Sequence, residues 1–318
     1  MSKASIAPLF VLFMTVLCSA QSTTTQTAAP QTPGPPPTEI FVASLTITGG
    51  DAVVGKPVNV SNSPGYDNQP SFAPDGTVLY FTSGRGDVAS KCGSPQTDIY
   101  KFVLQTRELV RVTETPDCEY SPTVTPDGTH LSVVRVEPDG TQRLWRVTLD
   151  GKNAEVVLAN VKPVGYHAWF DEKTLALFVL GQPATLQIAD TGTGKAEVAA
   201  TNIGQSLQRM PKAGVSFVQQ GGTNENRTLT ITQLTTMAGK VVTKPLTAAV
   251  AGATQAHVTW TPDGTLLMAR GGSLYAWHAD RPDWKSIADL LALGLENVTR
   301  LAVSPSGDRI AIVAAGGH

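Results

Sequence analysis

The chain has 318 residues, 41% hydrophobic and 16% charged, with 24 basic and 26 acidic side chains and a formal net charge of -2. With no run of Lys and Arg interleaved with aromatics, that balance leaves no electrostatic footprint for nucleic acid or an anionic membrane surface. High counts of Gly (29) and Pro (22), and few stretches of sustained 3.6-residue apolar periodicity, favour turn-rich strands over helices.

At the N-terminus Lys3 stands in a short polar start, an apolar run follows from Ile6 to Leu17, and Cys18-Ser19-Ala20 places small residues where a signal peptidase inspects them. The expectation is a secretory signal over 1–20, cleaved after Ala20, and a periplasmic or secreted product. A run of about a dozen apolar residues is short of the roughly 20 that cross a bilayer, so no membrane span is expected. Cys18 as a lipidated cysteine is the lesser alternative, because Leu17 occupies a position where that processing needs a small residue. Residues 21–38 are Ser, Thr, Gln, Ala and Pro, ending in Pro35-Pro36-Pro37. Such a segment cannot bury apolar surface and is expected to be an extended tether.

Beyond it the sequence repeats. Ser71-Phe72-Ala73-Pro74-Asp75-Gly76-Thr77 is echoed by Thr123-Val124-Thr125-Pro126-Asp127-Gly128-Thr129, by Thr259-Trp260-Thr261-Pro262-Asp263-Gly264-Thr265, and in altered form by Ala302-Val303-Ser304-Pro305-Ser306-Gly307-Asp308. The gap between Pro126 and Pro262 leaves room for two more units of about 45 residues, the length of a propeller blade. Degenerate copies stand there, at Trp169–Thr174 and Met210–Gly214. In each copy Pro fixes φ, Asp bonds the backbone ahead and Gly takes positive φ, which makes a tight turn between two strands. A second strand follows, as in Val78–Thr82, Leu131–Val134 and Leu266–Ala269. A third and fourth come next, such as Asp98–Phe102 with Glu108–Thr113, and Leu144–Val147 with Ala154–Leu158. Gly192-Thr193-Gly194-Lys195 lacks the other residues of a phosphate loop and matches the hairpin Leu149-Asp150-Gly151-Lys152.

Four antiparallel strands iterated six times without intervening helices predict an all-β, six-bladed β-propeller with four-stranded blades. After the last turn only Arg309–Val313 remains, so the sixth blade needs two outer strands from elsewhere. Glu39–Leu45 and Lys56–Val60 supply them, and the last blade is closed by N-terminal strands, leaving one domain over 39–318. Within Pro282–Leu291 the spacing allows a helical turn or two, read as an elaborated loop.

Ser71 to Ser83, followed by Thr97-Asp98-Ile99-Tyr100, resembles the repeat of the TolB propeller family. The resemblance runs from Glu39 to the C-terminus, strong in the units beginning near Asp67, Glu119 and Gln255 and weak in the middle pair. TolB carries an α/β domain before its propeller, where this sequence has the tether. The resemblance implies an exported propeller that binds other proteins on one face without a cofactor. Related repeats also accompany peptidases and polysaccharide lyases, so it transfers a fold and not a site.

Aligning the units on their turns places Gln69, Ser121, Tyr166, Leu207, His257 and Arg300 at one position around the mouth of the channel, with His167 next inward and Asp67 and Glu119 just before. The expected function is a monomeric, non-catalytic module that grips a protein or peptide through Asp67, Gln69, Glu119, Tyr166, His167, His257 and Arg300. The alternative is a lyase or hydrolase acting on a glycan or peptide at the channel. His167 and His257 lie in different units without short ligand spacing, so no metal is expected. No Gly-x-Ser-x-Gly elbow or His-Glu-x-x-His helix occurs. Cys92 and Cys118 fall on loops of the same face, and in an oxidising compartment they are expected to form a disulfide.

Overall fold

A computed structural model describes Met1 and residues 35–48, 51–85, 92, 95–212, 214–223, 226–237 and 240–315. The expected signal beyond Met1 and the expected tether up to residue 34 lie outside the described residues. All regular elements among them are β-strands, arranged in six sheets.

Blade 1 comprises β4 (Asp67–Phe72), β5 (Val78–Ser83), β6 (Asp98–Val103) and β7 (Glu108–Arg111). Blade 2 follows with β8 (Cys118–Val124), β9 (His130–Val136), β10 (Gln142–Thr148) and β11 (Glu155–Val156). Blade 3 has β12 (Val164–Trp169), β13 (Thr174–Val179), β14 (Thr185–Asp190) and β15 (Ala196–Thr201). Blade 4 has β16 (Ile203–Arg209), β17 (Val215–Gly221), β18 (Thr228–Met237) and β19 (Lys240–Ala248). Blade 5 has β20 (Val258–Trp260), β21 (Leu266–Arg270), β22 (Ser273–His278) and β23 (Arg281–Asp289). Every pairing within these blades is antiparallel.

The sixth blade joins the two ends of the chain. From the C-terminal side come β24 (Arg300–Val303) and β25 (Arg309–Ala315), and β1 (Thr38–Thr48) pairs with β25 from Thr38↔Ala315 to Ser44↔Arg309. The outermost position is shared by two pieces, β2 (Asp51–Val54) and β3 (Val58–Asn59), which pair with different stretches of β1. The first of these falls between the two N-terminal strands read from the sequence.

The turns follow the repeat. Gly76 and Gly128 have φ of 70° and 72°, and their N–H groups donate to Ala73 and Thr125 at 2.9 and 2.8 Å. The Asp75 and Asp127 carboxylates accept from the backbone of Thr77 and Thr129, both at 3.0 Å. Residues 191–195 form the β14–β15 hairpin connection, as the sequence suggests.

Pro282–Leu291 is not helical. Most of it is β23, which pairs with β22 through Ser273↔Asp289 and Tyr275↔Ser286. The ladder satisfies its backbone groups, and the Trp284 indole donates to the Ala248 carbonyl of blade 4 at 2.8 Å. Partners outside the segment thus override its local spacing.

Six apolar clusters fill the six seams between successive blades. In the closing seam, Ile40 and Val60 from the N-terminus meet Leu79, Phe81 and Phe102 of blade 1 and Ala311 and Val313 of β25. The core is therefore a ring around an axis, and the innermost strand of each blade is left to line that axis.

Candidate functional site: the mouth of the central channel

A cavity of about 630 Å³ runs along the axis and is lined from all six innermost strands. At one end stand Gln69, Ser121, Tyr166, Gln205, His257 and Arg300; at the other, the turn residues Pro74, Pro126, Pro211, Pro262 and Pro305. Because these strands all run from the first end to the second, the loops between blades collect at the first end, here called the mouth.

Of the residues singled out in the sequence, Gln69, Tyr166, His167, His257 and Arg300 line this cavity. The Arg300 guanidinium donates to the Tyr166 hydroxyl at 2.8 Å and lies 4.8 Å from the centre of its ring. Blades 3 and 6 are opposite in a ring of six, so this pair bridges the mouth. Tyr66 is close enough to Arg300, Tyr166 and Tyr120 for their charges to act on its phenol, whose pKa burial raises above the ordinary range.

Gln69 and Ser121 have φ of 58° and 53°, and each precedes a proline. Residues before proline favour extended backbone, so these left-handed residues store strain on the order of 1–3 kcal/mol each. The strands bulge there, between Asn68 and Ser71 and between Tyr120 and Thr123. The Gln69 carboxamide oxygen accepts from the Thr82 hydroxyl and from the Ser121 N–H, both at 2.8 Å. It fastens the bulge of blade 2 to blade 1 while facing the cavity.

His167 is 7% exposed, and its Nε2 lies 2.7 Å from the Ser132 hydroxyl. Ser132 also donates to the Thr123 carbonyl at 3.0 Å and accepts from the Trp169 indole at 2.9 Å. Although a serine beside a histidine suggests a nucleophile with its base, this hydroxyl is fully buried and already saturated. The contact ties blade 2 to blade 3. Burial holds the His167 imidazole down to about 4, so it is neutral. The His257 imidazole is lowered to about 3 by burial and by the Arg300 charge, and its Nδ1 is buried without a hydrogen-bond partner.

Asp67 and Glu119 do not line the cavity. The Asp67 carboxylate is buried in blade 1, 3.2 Å from Arg85, whose guanidinium stacks 4.7 Å from the Tyr100 ring. Glu119 is equally buried in blade 2, 3.2 Å from Arg135, which lies 4.6 Å from the Trp145 ring. Both carboxylates build the same internal stack of acid, arginine and aromatic. Cys118 is bonded to Cys92, with Cα atoms 5.8 Å apart.

Two kinds of cavity residue escaped the sequence reading. In blade 4 a register shift between Ile203 and Leu207 brings Gln205 to the mouth, where alignment on the turn pointed to Leu207. Trp169, Trp260 and Arg209 also line the channel; the apolar position before the turn was the one signal for the two tryptophans, and Arg209 breaks that pattern. Among the described residues no group of three His, Cys, Asp or Glu side chains is placed to hold a metal ion.

No family model matches the sequence, and no curated protein matches it. Solved structures do match in fold. One from Agrobacterium tumefaciens assigned as TolB has a TM-score of 0.63 at 13% identity, covering 88% of this chain and 99% of that one. TolB from Acinetobacter baumannii has a TM-score of 0.58 at 13% identity; the match covers 88% of this chain and about two thirds (65%) of the TolB chain. An oligogalacturonate lyase in complex with manganese has a TM-score of 0.54 at 13% identity, covering 82% and 80%. The fold is thus a TolB-like propeller, and identities this low transfer the fold alone.

Proposed function

We propose that the protein is an exported, non-catalytic propeller that binds a protein or peptide segment at the channel mouth. The observation that carries this reading is the open cavity of about 630 Å³ converging from all six blades. It combines aromatic walls at Tyr166, Trp169 and Trp260 with polar groups at Gln69, Gln205, His257 and Arg300. A few convergent polar groups on a largely preformed concave surface are what a binding site requires. Export is supported by the Cys92–Cys118 disulfide, a bond that persists in oxidising compartments. The alternative of a glycan- or peptide-cleaving enzyme draws no support from the Ser132–His167 contact, since substrate has no path to that hydroxyl.

The test is affinity capture from envelope extract with the wild type and with a Tyr166→Ala, Arg300→Ala double variant, run beside a panel of glycans and peptides assayed for cleavage. A partner captured by the wild type and lost with the variant is the expected result. Capture of the same proteins by both would reject the mouth as the binding face. Cleavage abolished by the variant would establish the enzymatic alternative.

A further inference from the structure

The charges lining the channel and the cavity beside it are one-sided. In a chain whose acids outnumber its bases, the channel lining carries Arg209 and Arg300 and, among the described residues, no Asp or Glu. A second cavity of about 200 Å³ opens between blades 3, 4 and 5; among the described residues its one charged lining side chain is Arg227. His257 and Gln205 line both cavities, so the two adjoin at those side chains.

Five other arginines of the blades are already neutralised by acids. Arg85, Arg111, Arg135, Arg143 and Arg146 each meet an Asp or Glu. Arg300 is half-buried, yet its bond is to a neutral hydroxyl; Arg227, which is exposed, bonds the neutral carboxamide of Gln220. Neither has a carboxylate within ion-pairing distance among the described residues. The half-buried Arg300 guanidinium has surrendered hydration without a compensating counter-ion, which favours an arriving anion, and the exposed Arg227 adds an accessible positive charge in the adjoining cavity. The surrounding donors fit the same ligand. The Tyr166 hydroxyl accepts from Arg300, which leaves its own proton free to donate outward. The unpartnered His257 Nδ1 sits at the junction of the two cavities.

Taking the peptide-binding function proposed above as its premise, we infer that the segment bound at the mouth is acidic. One carboxylate lies against Arg300 and Tyr166 at the channel, and a second against Arg227 in the side cavity. The wall between them, with Phe178, Ile203, Val218 and Leu229, suits an apolar side chain flanked by the two acids. Guanidinium–carboxylate pairing is bidentate and directional, so the site selects charge placement as well as net charge. A field of one sign in a cleft also steers such a segment inward.

The test is an array of short random-sequence peptides probed with the full chain, followed by fluorescence anisotropy titrations of the best binders at low and high salt. Each binder is compared with its version carrying Gln for Glu and Asn for Asp. The proteins are the wild type, Arg300→Gln, Arg227→Gln and the control Arg270→Gln, whose side chain bonds the Gly252 carbonyl outside both cavities. The expected result is enrichment of Asp and Glu among binders and weaker binding at high salt. A loss of about tenfold in affinity is expected for the amide peptides and for each mouth variant, equivalent to about 1.4 kcal/mol, with no loss in the control. Binders without acidic bias that hold the amide versions equally well would overturn the acidic specificity and leave the peptide-binding function standing. An array without binders would overturn both.

Discussion

Burial lifts the Glu119 carboxyl to about 7, against the ordinary 4.5, although the Thr115 hydroxyl and the Arg135 guanidinium oppose the rise. Between those values the folded protein holds a proton that the unfolded chain has released, so this residue's contribution falls as pH rises through that window and is flat above it. The two mouth histidines act in the opposite direction. His167 and His257 are lowered from 6.5 to about 4 and about 3, so the unfolded chain protonates first and stability is lost as pH falls below 6.5. In the overlap from 4.5 to 6.5 the carboxyl offsets part of what the imidazoles impose. Glu119→Gln is isosteric and removes only the acid. The difference in unfolding free energy between variant and wild type should therefore shift in the variant's favour by about 2 kcal/mol from pH 5 to pH 7. Urea melts at the two pH values measure it; an unchanged difference would mean that the carboxyl titrates as if exposed.

At the scale of elements, three of the seams are held by more than apolar contact. Hydroxyls on second strands reach the innermost strand of the following blade: Thr82 to the Ser121 N–H at 3.1 Å, Ser132 to Trp169 at 2.9 Å, and Ser216 to the Trp260 indole at 2.8 Å. The disulfide adds a covalent tie between blades 1 and 2, closing a loop of 26 residues. Loop-closure entropy gives such a link about 3.5 kcal/mol. Cys92→Ser leaves the buried Cys118 side in place and should lower the thermal midpoint by roughly 5–10 °C. A reductant should lower the wild type to the same value and leave the variant unmoved; a wild type indifferent to reductant would refute the stabilisation. The blade turns were legible because their cause is local: Pro, Asp and Gly fix the geometry within four residues. The fourth strand β23 was not, because its hydrogen bonds come from β22 and from blade 4. Gln205 escaped because a bulge breaks the count between turn and mouth. Asp67 and Glu119 were drawn to the mouth by chain position, whereas partners distant in sequence, Arg85 and Arg135, keep them inside the blades.

At the scale of the whole molecule the channel exists only while the ring is shut, and one seam of the ring is closed by chain ends that are remote in sequence. Ile40 and Val60 are buried there, and Leu45 in the neighbouring seam with blade 5, each worth roughly 1.5–3 kcal/mol. Their sum is comparable to the entire stability of a typical domain, about 5–15 kcal/mol. Deleting residues 38–60 should therefore abolish the cooperative thermal transition, and a truncated chain melting at the wild-type midpoint would refute the closure. A second chain separates loss of the strand from loss of its position. The register pairs Thr38 with Ala315, so the start of β1 lies beside the end of β25. A permuted protein that begins at Ser61 and continues from Ala315 through a short Gly-containing turn into Thr38–Val60 presents the same blade as one continuous meander. It should recover the cooperative transition and, since no residue of the mouth has changed, the binding lost on truncation. Failure of the permuted chain to fold would mean that the N-terminal strand contributes something other than the ladder and the seam.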